Sequence, residues 1–153
     1  MTTTKTLIAA AIAALSVPAL AVADDRVPET VLPPAAVIHQ LVADGHDVRK
    51  VEFERGRYDA LVRTNDARLV KMAVDPLTGK AISASDRAKR TDVQAVPVSA
   101  VQAIVAAAEE GHYDVTELEF RDGRYRVQAR DEAGKSARVE IDAQTGQIAS
   151  IKH

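Results

Sequence analysis

The chain has 153 residues, a formal net charge of −2, 46% hydrophobic and 27% charged residues, and no cysteine. That balance excludes a disordered chain and a disulfide-stapled scaffold, and it removes thiol chemistry. It also lacks the basic excess expected of a nucleic-acid-binding protein.

Residues 1–23 read as a cleavable signal peptide. Lys5 supplies the positive charge, Leu7 to Leu15 a short apolar run, and Ala21–Val22–Ala23 an A-x-A cleavage site. The run is too short for a membrane span and Pro18 interrupts it. Removal of this segment, with Lys5, leaves 130 residues of net charge −3 starting at Asp24. A cysteine-free exported product fits a bacterial periplasm or secretion to the outside. Residues 24–33, with Pro28 and Pro33 and no periodicity, read as a flexible lead.

From residue 34 the sequence is written twice. Val48–Arg49–Lys50–Val51–Glu52–Phe53 returns as Val115–Thr116–Glu117–Leu118–Glu119–Phe120, and Gly56–Arg57–Tyr58 as Gly123–Arg124–Tyr125. Asp75–Pro76–Leu77–Thr78–Gly79 returns as Asp142–Ala143–Gln144–Thr145–Gly146, at a constant offset of 67. A repeat of this kind fixes the unit of folding.

Each copy opens on a helix. Val37, Ile38, Leu41 and Val42 share one face of the first, with Pro34 in its first turn and Gly45 at its end. In the second, Ser99 and Gln102 form a capping box, Val101, Ile104, Val105 and Ala108 are the expected apolar stripe, and Gly111 is the stop. The period then changes from 3.6 to 2. The inward series are Val51/Phe53, Tyr58/Ala60/Val62 and Val70/Met72/Val74, then Leu118/Phe120, Tyr125/Val127/Ala129 and Ala137/Val139/Ile141. Arg55–Gly56 and Asp122–Gly123 are the expected hairpin turns. The expected fold is α+β: two tandem units, each a helix packed on one face of a three-stranded antiparallel sheet. The first repeat spans 34–82 and the second 97–153. Residues 83–96 join them as a loop or short helix.

This combination of helix, glycine, V-x-x-[VL]-E-F, G-R-Y and D-x-x-T-G resembles the PepSY domain, named from the propeptides of secreted metallopeptidases. The resemblance implies an α+β fold and an extracytoplasmic binding or regulatory role, including peptidase inhibition. With no catalytic domain after the second copy, inhibition is expected to act in trans on a peptidase or another envelope protein.

Candidate sites follow from where the copies agree and differ. Asp75, Thr78 and Gly79, with Asp142, Thr145 and Gly146, read as turn-builders, because an Asp three residues before Thr-Gly can accept backbone N–H groups. Phe53/Phe120 and Tyr58/Tyr125 read as core. Tyr113, which lacks a counterpart, and the second sheet face, with Arg121, Arg124, Arg126, Arg130 and Arg138, are the candidate partner-binding residues. His46 and His112 follow matched glycines. A metal site would need that pair, or one of them with His153, to converge. No G-x-S-x-G, H-E-x-x-H or phosphate-binding glycine loop occurs, so neither catalysis nor a cofactor is expected. Two other readings stand beside a protein-binding module: a small-ligand or metal-responsive accessory protein, and a purely structural module.

Overall fold

The computed structural model describes residues 27–86 and 94–153. The expected signal peptide, residues 24–26 of the lead and residues 87–93 of the joining segment lie outside them. The elements in chain order are α1 (Pro34–Ala43), β1 (Asp47–Glu54), β2 (Arg57–Arg63), β3 (Leu69–Val74), β4 (Ala81–Asp86), α2 (Ala100–Glu109), β5 (Asp114–Arg121), β6 (Arg124–Arg130), β7 (Ser136–Asp142) and β8 (Ile148–Lys152). The eight strands form one antiparallel sheet in the order β4-β3-β2-β1-β5-β6-β7-β8.

Each unit therefore has four strands rather than the expected three, and the two units share a sheet. After β3 and β7 the D-x-x-T-G turn reverses the chain, and β4 and β8 return along the outer edges. Ala81 to Ser85 are exposed throughout, so the edge strand carries no inward–outward alternation for a pattern to reveal. The boundary expected at residue 82 falls inside β4.

The units meet through β1 and β5, where Val51 pairs with Leu118 and Lys50 with Glu119. Val51 and Leu118 occupy the same position in the two copies. Their mutual pairing places a pseudo-two-fold axis at the centre of the sheet, the arrangement of an isologous dimer interface inside one chain. On the outer face Lys50 is set among Glu52, Glu117 and Glu119. Burial disfavours its charge, but these carboxylates outweigh that and raise its pKa.

Both helices pack on the same face of the sheet and against each other, α1 over β1 and β5 and α2 chiefly over β6. The inward series of both copies fills the space beneath, with Val51, Leu118, Tyr58, Tyr125, Val74 and Ile141 fully buried. Fully burying a side chain of this size contributes about 1.5–3 kcal/mol. α1 buries Val37, Ile38 and Leu41 as expected. In α2 the buried stripe is Ala100, Ala103, Ile104 and Ala107, and Val105 and Ala108 are exposed. The helix presents its small residues to the sheet, which a pattern weighted towards valine misses. The Ser99–Gln102 capping box is formed in both directions, at 3.2 and 2.8 Å.

The segment before each helix is fixed to the turn after the third strand of its unit. Leu32, expected within a flexible lead, donates its N–H to the Pro76 carbonyl at 2.8 Å, and the matching Val98 donates to Ala143 at 3.2 Å. In the first unit the Tyr58 hydroxyl donates to the Leu32 carbonyl at 2.7 Å, whereas the buried Tyr125 hydroxyl has no partner among the described residues. Burial pushes both phenols up, Tyr125 to about 12.

The same comparison exposes strain in the hairpin between β2 and β3. Ala67 has φ of 62°, where the second copy places Gly134 at 78°. A left-handed conformation costs a non-glycine residue about 1–2 kcal/mol. Ala67→Gly is therefore expected to stabilise the protein by about 1 kcal/mol in urea unfolding, after the added chain entropy of glycine is offset. Tyr58→Phe removes a made hydrogen bond and should cost about 1 kcal/mol in the same assay. Tyr125→Phe removes an unmet hydroxyl and should leave stability unchanged or raised.

Candidate functional site

The D-x-x-T-G turns are built alike. Asp75 Oδ1 accepts from the Leu77 and Thr78 N–H groups at 2.8 and 2.9 Å, and Asp142 Oδ1 accepts from Gln144 and Thr145 at 2.9 Å each. These backbone donors hold both carboxyls below the usual carboxylate range. Gly79 and Gly146 close the turns at positive φ, with N–H donation back to the Asp75 and Asp142 carbonyls at 2.8 Å. At Gly79 an added Cβ would lie 3.3 Å from Gln40 Cβ on α1, so the turn also sets how closely the helix approaches. The hydroxyls of Thr78 and Thr145 accept from the N–H groups of Lys80 and Gln147. The Asp Oδ1 atoms and the Thr hydroxyls of the motif are thus engaged inside the turn.

The candidate arginines lie on the open face of the sheet, opposite the helices. They do not form one cluster. Arg124 and Arg126 reach the Glu140 carboxylate at 3.4 and 3.7 Å, and Lys152 joins them at 3.3 Å. Arg121 pairs with Asp122, and Arg130 with Asp114 at the other end of the sheet. Arg138 lies in register between Gln128 and Lys152. Arg121, Arg126 and Arg138 line a shallow depression of about 280 Å³ together with Glu117, Glu119 and Gln128. Its charges alternate in sign, which suits a polar surface better than a single anion.

Tyr113 is 53% exposed and stands at the corner between α2 and β5. Desolvation and the neighbouring Glu132, Asp131 and Asp114 push its phenol up. The strand places it beside Arg130 and a full β5 length from Arg121 and Arg124. Of the five arginines, Tyr113 therefore shares its end of the sheet with Arg130 and not with Arg121 or Arg124.

His46 and His112 precede β1 and β5, and those strands run antiparallel. The two residues are thus at opposite ends of the sheet, about 30 Å apart at 3.3 Å per residue. Among the described residues no group of three or more His, Cys, Asp or Glu side chains could hold a metal ion. The ring brought near His112 is His153, with centroids 5.8 Å apart.

Two features escape the sequence pattern. Arg49 is only 2% exposed and sits at a β-bulge on the helix-covered side. Its guanidinium lies 4.5 Å from the centre of the Phe120 ring across the seam, and it bonds Asp47 at 2.8 Å and the Gln94 carbonyl at 2.9 Å. It ties the joining segment to the centre of the sheet. The signal was the three-residue step between the inward Val48 and Val51, repeated at Val115 and Leu118, since strict alternation allows only even steps. The second feature is a pair of buried carboxylates on the charged face. Asp59 is held by Lys71 at 2.7 Å and Arg57 at 3.2 Å, and Glu140 by the three cations above.

At Glu140, 6% exposed, burial opposes ionisation, but Lys152, Ser150 and Arg126 prevail and hold the carboxyl below its usual value. Asp59 is lowered in the same way by Lys71 and Arg57 against its own desolvation. A depressed folded-state pKa gives stability that is present above the unfolded value and is lost as pH falls below it. The melting temperature should therefore fall as pH drops below the ordinary carboxylate values, 4.5 for a glutamate and 3.8 for an aspartate. Glu140→Gln should lower it at neutral pH and flatten that acid limb, in thermal melts recorded from pH 7 to pH 2.

A family model, the peptidase propeptide and YPEB domain (PepSY), matches the chain twice, over residues 5–85 and 86–152. Neither curated proteins nor solved structures give a match. The two matched stretches correspond to the two halves of the pseudo-symmetric sheet and together cover nearly the whole sequence. The chain therefore belongs to the PepSY family, as a tandem pair of its domains folded into one continuous sheet.

Proposed function

We propose that this protein is an exported, non-enzymatic binding module that holds a protein partner, a peptidase or another envelope protein, by adding one of the partner's strands to the β4 edge. Membership of a propeptide family supports a regulatory or binding role. The observation that carries the strand-addition reading is the chemistry of β4. Before the closing Asp86, its run Ala81–Ile82–Ser83–Ala84–Ser85 has no charge and no proline, all five residues are exposed, and Ile82 is 63% exposed beside Leu77 at 65%. Edges that are not meant to pair are usually blunted by lysine, proline or an inward charge. The opposite edge, β8, follows that rule, with Lys152 drawn onto Glu140. An extended segment docking on β4 gains main-chain hydrogen bonds, and Ile82 and Leu77 supply apolar contact. Tyr113 and the Arg121, Arg126 and Arg138 depression are secondary contacts in this reading.

The reading of residues 1–23 as a signal peptide supports a location in the periplasm or outside the cell. For a peptidase partner the consequence is inhibition in trans, through a strand of the enzyme held on the β4 edge. The mature protein immobilised on resin should enrich one peptidase or envelope protein from a periplasmic extract. Ala84, which pairs with Met72, turns its N–H away from β3, so Ala84→Pro removes a donor from the open edge and should reduce that recovery at least about tenfold, equivalent to 1.4 kcal/mol. It should leave the melting temperature close to that of the parent. Equal recovery by Ala84→Pro would rule out the β4 edge, and no enrichment from the extract would rule out the binding role.

A further inference from the structure

We propose that His112 and His153 form a two-imidazole site for a divalent transition-metal ion, Cu²⁺ most tightly and Zn²⁺ less so. This goes beyond protein binding and uses neither the β4 edge nor the arginine face.

The site is assembled by two separate elements. Gly111, in the left-handed conformation at φ 87°, ends α2. The next residue, His112, donates its N–H back to the Ala107 carbonyl at 3.1 Å, which fixes its backbone to the helix end. Its side chain is 6% exposed, and its Nδ1 is buried without a hydrogen-bond partner among the described residues. From the other side, β8 pairs Lys152 with Arg138. One residue further, register sets His153 level with Ala137, which belongs to the buried series beneath the helices. His153 is thereby delivered to the helix side of the sheet, against His112. Lys152 is occupied on the other face by Glu140.

The two rings are 5.8 Å apart between centres and inclined at 54°. A zinc–nitrogen bond is about 2.0–2.1 Å, and each nitrogen lies about 1 Å out from its ring centre, so two imidazoles on one ion have centres about 5–6 Å apart. The observed separation is in that range. A stacked aromatic pair would satisfy neither ring's nitrogens, and an unmet buried nitrogen costs about 1–3 kcal/mol. An ion shared by the rings relieves that cost, and neutral imidazole nitrogens favour Cu²⁺ over Zn²⁺. Water completes the coordination. The first copy cannot repeat the site, because Asp86 stands where the second has His153.

Untagged protein titrated with CuCl₂ in a calorimeter should bind one ion per chain. The electron paramagnetic resonance spectrum should show coupling to two imidazole nitrogens. His153→Ala changes an exposed residue beyond the last strand and should leave the metal-free melting temperature unchanged. Removing even outer-shell partners of a metal costs about 10–100-fold in affinity, so loss of this ligand should weaken Cu²⁺ binding by at least about tenfold. His46→Ala should bind as the parent does. The proposal is overturned if His153→Ala retains the parent affinity, if the spectrum shows a single nitrogen, if His46→Ala is the variant that loses binding, or if the parent binds no ion. A partner recovered on resin without any metal effect would leave the binding role standing and remove only this site.

Discussion

The pairing of β1 with β5 is the contact on which the rest of the structure depends. A single helix–four-strand unit is small for an independent core. Joined through Val51 and Leu118, two units put their helices side by side over one continuous apolar layer. The same contact settles the electrostatics of the open face, since Lys50 must answer Glu52, Glu117 and Glu119 where the copies meet. The seam consumes the edge that each unit would otherwise expose, so only β4 and β8 remain as edges.

Symmetry in the backbone makes the departures from symmetry informative. Tyr58 is satisfied by Leu32 while Tyr125 is not, and Arg49 crosses the seam onto Phe120 where the second copy has Thr116, which bonds the Gln128 carbonyl instead. Each half also organises its charged face around one buried carboxylate, Asp59 in the first and Glu140 in the second, at positions that do not correspond. Matched residues pack, turn and cap. Unmatched ones include His153, where the first copy has Asp86, and the uncharged run Ala81–Ser85 of β4.

Much of the site reading depends on how charges are spent. The five arginines look like a basic patch when read along the strands, yet three of them lean on Glu140 or Asp114. Cross-strand partners are set by register, and register is not written in the residues of one strand. The histidines show the same limit. His46 and His112 are twins in sequence and stand at opposite ends of the sheet, because the two units meet antiparallel.

By itself the sequence determined the duplication, both helices with their stops, the inward series of six strands, the hairpin at each D-G or R-G turn and the self-contained D-x-x-T-G corner. These are local or periodic features, and each is enforced by neighbours within a few residues. The Asp75 and Asp142 bonds fall inside their own turns for that reason. Tertiary structure alone decided the edge strands, the shared sheet, the burial of Arg49 and the meeting of His112 with His153. An edge strand exposed on both faces carries no hydrophobic period. A seam between two copies is a contact between residues 67 positions apart, and its register comes from packing two apolar layers as one.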